Sequence, residues 1–333
     1  MPSGPHTVTL ARRAMATRFE LVLHGDDPVA LRAAGEAALD EIDRLESQLS
    51  LYRAGSEISH VNARAAREPV RVTAEVFALL EWAQRLSAET DGAFDITIAP
   101  LVRCWGFMGG QGHAPSPEAL RAARECVGMH LVELDAARRT VRFRREGVML
   151  DLGAIGKGYA VERAAGLLRD AGVTRALLHG GTSTVYGLGA PPGADAWTVA
   201  IETPPETARL SGFPSLPAVA LRDAALSVSA VWGRAFEQDG AVFGHVLDAR
   251  AGEPVTHSAL AAVVLPSATE TDALSTGLLV LGSEGLERIA ARRPAGKFLL
   301  VTRAGEGWAA RWCGFETGVS LSGGHLELRG ERD

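Results

Sequence analysis

The sequence has little cysteine, no long apolar run and no excess of basic residues, and each shortage closes off a class of function. Its three cysteines, Cys104, Cys126 and Cys313, stand far apart. They form neither a zinc-type pair nor a disulfide framework, which suits a reducing compartment. The formal net charge is −6, and the densest basic groups are Arg138-Arg139 and Arg142 to Arg145. Nucleic-acid binding wants clustered Lys and Arg, so no such partner is expected, and these arginines read as a solvated hairpin. No segment is long and apolar enough to cross a membrane. The run from Met1-Pro2 to Arg12-Arg13 lacks the apolar core of a signal peptide, and no lipoprotein-type cysteine is present. No membrane insertion is therefore expected, and the cytoplasm is the expected location. A GxSxG elbow, a GxxxxGK[ST] phosphate loop and a GxGxxG turn are all missing as well.

What is present suits a globular protein: 333 residues, 47% hydrophobic and 22% charged, enough to bury a substantial core. Residues 7–23 read as two strands around a turn. Asp27 and Pro28 open a helix whose inner face carries Leu31, Ala38, Ile42, Leu45 and Leu49. A second helix follows Thr73, with Val76, Leu79, Leu80, Ala83 and Leu86 inward, and a third opens at Ser116-Pro117. After residue 140, strands VRFR and GVMLDL lead into a helix from Gly156 that Gly172 closes. Short β-like runs then fill the chain to about 265, followed by helices at 267–281 and 284–291 and two last strands, KFLLV and WAARW. Residues 203–217, rich in proline, read as a surface insertion. Strands and helices mix without strict alternation, so we expect an α+β layered fold: one domain over 1–333, built of two packed lobes at roughly 1–140 and 141–333.

Four segments could carry chemistry. In LDLGAIGKGYAV, Gly153, Gly156 and Gly158 precede a helix and Lys157 adds a cation, so either a phosphate cradle or a tight turn with a solvated lysine fits. In SATETDALSTGLLVLG, Asp272 and Thr276 are four apart and share a helix face. That pair suits a hard cation or a mere polar helix edge. In TDGAFDITIAPLVRCWGF, Asp95 stands among apolar residues, and spacing alone favours a loop with a half-buried strand. In GHVLDARAGEPV, His245 and Asp248 flank a turn, where a satisfied core histidine is the plainer reading.

Together these segments resemble the ApbE family of FAD:protein FMN transferases. Met15-Ala16-Thr17 stands where the family has Met-Gly-Thr, and SLYRAGSEISHVN resembles its S-x-Y-x-x-x-S-E stretch. GAFDITIAPLVRCWGF, LDLGAIGKGYAVE, HVLDARAGEPV and TETDALSTGLLVLG follow in the family's order along nearly the whole chain. The resemblance implies that Met15, Tyr52, Ala93, Phe94 and Asp95 lie around the flavin and its linker. It implies that Asp151 and Lys157 contact FAD, with His245 and Val246 close to the nucleotide and His245 the catalytic candidate. It further implies that the Ala154 backbone, Asp272 and Thr276 hold Mg²⁺, with Ser275 nearby. The reaction it implies moves FMN from FAD onto a Ser or Thr hydroxyl of a target flavoprotein and releases AMP.

Three departures stand out. Gly180-Gly181-Thr182 replaces the family's Gly-Gly-Asp, Asp248-Ala249-Arg250-Ala251 lacks the usual Pro and Thr, and SVSAVWGRAF lacks the usual Ser-Gly and Tyr. An FAD pyrophosphatase using the same metal, and a non-catalytic FAD-binding protein, are the alternatives these departures leave. Because alanine is the best helix former, Asp272→Ala is expected at this level to spare the fold.

Overall fold

The computed structural model describes residues 5–110, 112–204, 214, 216–238 and 240–315. Most of the 203–217 insertion thus lies outside the described residues. The chain opens with β1 (His6–Ala14) and β2 (Thr17–Gly25), paired as a hairpin from His6–Gly25 to Ala14–Thr17. Next come α1 (Pro28–Leu49), α2 (Glu57–Arg64), β3 (Val70–Arg71), α3 (Ala74–Glu89), α4 (Ala99–Cys104) and α5 (Pro117–Arg124). The hairpin β4 (Val132–Asp135) and β5 (Thr140–Phe143) carries the exposed arginines as expected. After α6 (Gly156–Asp170) the chain is mostly strand: β6 (Ala176–Gly180), β7 (Thr184–Leu188), β8 (Trp197–Ala200), β9 (Ala218–Leu221) and β10 (Ala224–Ala230). It continues through β11 (Ala235–Gln238), β12 (Ala241–Gly244), β13 (Leu247–Asp248), β14 (Glu253–Pro254) and β15 (Ser258–Leu265). Helices α7 (Ala268–Leu281) and α8 (Ser283–Arg292) and strands β16 (Lys297–Ala304) and β17 (Gly307–Cys313) complete it.

One antiparallel sheet organises the molecule, in the order β1-β2-β6-β7-β10-β15-β16-β17. Its first two strands come from the N-terminal part of the chain. Helices α1, α6 and α7 pack on one face and the β8–β9 ribbon covers the other. β15 shows why both faces are dry. Ala261, Val263 and Leu265 point to the helices while Leu260, Ala262 and Val264 point to the ribbon, the period-2 alternation of a strand. β16 repeats it with Phe298 and Leu300 against Leu299 and Val301. Each fully buried Leu, Val or Phe contributes about 1.5–3 kcal/mol. The fold is α+β, as the mixed pattern implied.

The helix starts follow their caps. Asp27 accepts from the N–H groups of Val29 and Ala30, Thr73 from Val76, Ser116 from Ala119 and Ser267 from Glu270. Gly172 lies just beyond α6 with φ +81°, as a helix-closing glycine should. Two segments differ from the sequence reading. GVMLDL forms no strand and joins no sheet: the Asn62 side chain accepts from Leu150 N (2.7 Å) and donates to Leu150 O (2.9 Å), and Asp151 N donates to Ile96 O (2.7 Å). Within 90–107 there is no strand either, but a loop followed by α4.

Candidate functional site

The cavity lies at the end of the sheet where the β1–β2 turn, the β6–β7 turn and the last residues of β10 meet. Ala14 pairs with Thr17, so Met15 and Ala16 alone form the first turn, with φ of +49° and +59°. Two positive φ values are the mark of a type I′ turn, which favours Asn-Gly because side chains are strained there. Strain kept at a cavity wall holds a side chain where relaxed backbone would not. Ala16→Gly is therefore expected to raise stability by about 1 kcal/mol in thermal melts, glycine's own entropy cost notwithstanding. No gain would mean that the turn is unstrained. The neighbouring turn packs against this one: a Cβ at Gly181 would lie 2.3 Å from Thr17 Oγ1, and Gly181 N donates to Arg18 O (3.1 Å).

The cavity measures about 830 Å³ and brings together Met15, Tyr52, Ala93, Phe94, Asp95, Asp151, Ala154, Lys157, His245, Val246, Asp272 and Thr276. Of the site residues that the resemblance implied, Ser275 alone does not line it, and of the motif residues Gly156, Gly158 and Asp248 also stay outside. Ser275 is wholly buried, bonded to Ser229 Oγ (2.9 Å) and to the Asp272 carbonyl (3.0 Å). Tyr52 stands at the rim, 65% exposed, an aromatic face left in solvent beside the opening.

The polar end is built where α6 meets α7. No side chain of its own caps α6. Instead Asp272 of α7 reaches over, and its Oδ2 accepts from Gly158 N at 2.8 Å. A carboxylate at a helix N-terminus is favoured by the dipole and by the otherwise orphan N–H groups. Oδ1 is held more loosely, 3.4 Å from the hydroxyls of Thr184 and Ser227 and 4.0 Å from Lys157 Nζ. Asp272 is thus buried and bonded, not a free polar helix edge. Its loss by Asp272→Ala would leave Gly158 N–H unpaired, so the expectation of an untouched fold is corrected. Lys157 leans back to the Gly153 carbonyl (3.0 Å). Asp151 turns its Oδ1 to Gly153 N (2.8 Å), and burial raises its carboxyl pKa above the ordinary range against the pull of Lys157.

Two other groups take different parts. Burial lowers the His245 pKa below the ordinary 6.5, with the positive charges of Arg234 and Lys157 acting the same way. Its Nδ1 sits 3.2 Å from the Arg234 carbonyl, which can only accept. Nδ1 therefore carries the hydrogen and Nε2 has its lone pair free. Asp95 lines the wall, but its carboxylate is bonded within the protein: Oδ1 accepts from Thr97 N (2.8 Å) and Thr97 Oγ1 (2.6 Å), and Oδ2 from Met129 N (3.0 Å). It braces the loop that carries Ala93 and Phe94.

Among the described residues no three His, Cys, Asp or Glu side chains gather as metal ligands. The Asp272 carboxylate, the Thr276 hydroxyl four residues on and the Ala154 segment meet at this end of the cavity, an all-oxygen set that fits a hard cation. A single charge is sparse for such an ion, so oxygens of a bound phosphate would have to share it.

The ApbE family model matches residues 15–299. The chain belongs to the ApbE family. It is 30% identical over 319 residues to a protein of Klebsiella pneumoniae named FAD:protein FMN transferase, covering 92% of this chain and 87% of that one. It is 32% identical over 256 residues to a Vibrio cholerae protein of the same name, covering 73% of each. The apo crystal structure of the Pseudomonas stutzeri flavinyl transferase ApbE superposes with a TM-score of 0.79 at 30% identity, covering 92% and 95% of the two chains. In this ApbE chain Thr182 is exposed and lines the cavity. Ile201 and Glu202 also line the cavity and stand in no motif, while Ser229, Trp232 and Arg234 line it from SVSAVWGRAF, noted in the sequence only as a departure from the family pattern. They come from the end of β8, from β10 and from the β10–β11 connection, and the fold brings them to the cavity.

Proposed function

We propose that the protein is an Mg²⁺-dependent FAD:protein FMN transferase that links FMN through a phosphoester to a Ser or Thr hydroxyl of a target flavoprotein. One observation carries the reading: a single cavity joins an apolar wall to a helix N-terminus, Lys157, the Asp272–Thr276 oxygen pair and a neutral histidine. Membership of the ApbE family and relatives named for this activity support it.

In this reading Met15, Tyr52 and the Ala93-Phe94 wall hold the isoalloxazine, and the Lys157 ammonium, at the positive end of α6, holds the pyrophosphate. Asp272, Thr276 and the Ala154 carbonyl would hold Mg²⁺, which when bound would neutralise charge on the phosphates. His245 Nε2 accepts the hydrogen of the attacking hydroxyl. The new bond joins that oxygen to the FMN phosphorus, and the bond from that phosphorus to the bridging oxygen breaks, so that AMP leaves with the electron pair. The test is incubation with FAD and a candidate acceptor, reading acceptor mass and AMP together. An acceptor heavier by FMN supports transfer. AMP without modified acceptor would indicate the pyrophosphatase, and FAD retained without AMP a binding protein. A cytosolic location, checked by fractionation, goes with this proposal.

His245→Ala should lower turnover about 10²–10⁴-fold while changing FAD affinity less, because a positioned base acts in the transition state. The pH profile checks the same group. Its pKa lies below 6.5, so the base form survives as pH falls and is lost only below that value. The acid limb of the rate should therefore lie under pH 6.5 and vanish in His245→Ala. A limb above it in the parent protein would remove His245 from the base role.

A further inference from the structure

Thr276 meets the cavity with its hydrogen already directed elsewhere, and counting hydrogens shows how. A hydroxyl has one hydrogen to donate and two lone pairs. The Asp272 carbonyl can only accept, and Ser275 Oγ lies 3.0 Å from it, so the Ser275 hydrogen goes there. Ser229 Oγ, 2.9 Å from Ser275 Oγ, must then donate to it. With its hydrogen used, Ser229 Oγ can only accept from Thr276 Oγ1, 3.1 Å away. The other acceptor in reach of Thr276 is the same Asp272 carbonyl at 3.5 Å, the outer limit of a hydrogen bond, so the shorter contact to Ser229 takes the hydrogen. The chain Thr276 to Ser229 to Ser275 to the Asp272 carbonyl runs one way.

Such polarity matters for a cation ligand. A hydroxyl coordinates through a lone pair, so its hydrogen must point to some other acceptor. Two residues back on β10, Ser227 faces Asp272 in the same register: it lies 3.1 Å from the Ser183 carbonyl and 3.4 Å from Asp272 Oδ1. β10 thus meets α7 with one serine against each proposed ligand.

We propose that Ser229 and Ser275 are positioning residues that turn the lone pairs of Thr276 Oγ1 toward the cation, making β10 part of the Mg²⁺ site. The proposal rests on the reading of Asp272 and Thr276 as Mg²⁺ ligands. Partners behind metal ligands typically change affinity about 10–100-fold when removed. Ser275 is the sharper case because it does not line the cavity. Without it Ser229 is free to donate to Thr276 and occupy the lone pair meant for the ion.

The test is titration of Mg²⁺ into the FAD-loaded full-length protein by calorimetry, with FAD affinity in chelator and melting temperature measured beside it. Ser229→Ala and Ser275→Ala should each weaken Mg²⁺ about 10-fold and leave chelator-side FAD affinity within about twofold. Ser229→Thr, which keeps the oxygen, should restore it. Should Thr276→Val weaken Mg²⁺ while both serine variants bind it as the parent does, the positioning role is overturned and the ligand reading stands. If Asp272→Asn and Thr276→Val also bind Mg²⁺ as the parent does, the ligand reading falls and the proposal with it. Ser229→Thr remaining as weak as Ser229→Ala, with an unchanged melting temperature, would count against the hydrogen-bond chain.

Discussion

Asp272→Asn is expected to lower FMN transfer by at least about 10³-fold while the melting temperature stays within about 2 °C of the parent. The asparagine oxygen can accept from Gly158 N where Oδ2 does now, at 2.8 Å, so the α6–α7 junction keeps its bond. What disappears is charge, the one formal negative among Ala154, Asp272, Ser275 and Thr276. The amide nitrogen that replaces Oδ1 presents hydrogens where a cation needs lone pairs. Several kcal/mol of charge stabilisation is worth this much rate, at about 1.4 kcal/mol per tenfold. Asp272→Ala should be equally inactive but less stable by about 1–3 kcal/mol, since it strands a buried N–H. Thr276→Val should cost only about tenfold and recover as Mg²⁺ is raised, because water can take a neutral ligand's place. Transfer by Asp272→Asn within tenfold of the parent would show that the charge at this position is not what the reaction uses.

The difference between those two Asp272 variants marks what the sequence could and could not show. Asp272 and Thr276 on one face of a helix followed from their spacing, because α7 is regular and its cap, Ser267, is local. The bond from Asp272 to Gly158 crosses 114 positions. No pattern within a window carries it. The same holds for GVMLDL, which reads as a strand by composition. Its backbone partners are Asn62 and Ile96, and the Asn62 side chain serves Leu150 from 88 positions away as a neighbouring strand would. Asp95 looked exceptional among apolar residues, and it is, but its carboxylate is satisfied by Thr97 and Met129. Sequence singled out an unusual residue there without telling a wall brace from a ligand contact. The long helices, their caps and the existence of a turn within 7–23 were legible because their signals are local. The walls from β8 and from the β10–β11 connection were not, since they depend on which strands the sheet sets side by side.

Gly158→Ala should be the most damaging single-methyl change in the site, and Gly156→Ala two positions earlier should be nearly harmless. A Cβ on Gly158 would fall 2.2 Å from the Ala268 carbonyl oxygen and 2.6 Å from Asp272 Cβ. Neither neighbour can swing aside, one being backbone and the other fixed to the α7 backbone, so the two helices must part. At Gly156 the nearest atom is Leu152 Cβ at 3.9 Å, an ordinary contact. Overpacking of this kind costs about 1–3 kcal/mol and more where backbone must move. The separation also pulls Gly158 N from Asp272 Oδ2 and carries the α6 N-terminus with Lys157 away from Asp272 and Thr276. Gly158→Ala should therefore lose at least about 3 kcal/mol in denaturant unfolding and also lose Mg²⁺ and FAD affinity together. More Mg²⁺ should not restore it, unlike Thr276→Val, since the ligand atoms are all present but displaced. Gly156→Ala should match the parent in all three measurements, at a position where alanine suits a helix better than glycine. If Gly158→Ala were as stable and active as Gly156→Ala, the close approach of α6 to α7 would not be what assembles the polar end of the cavity.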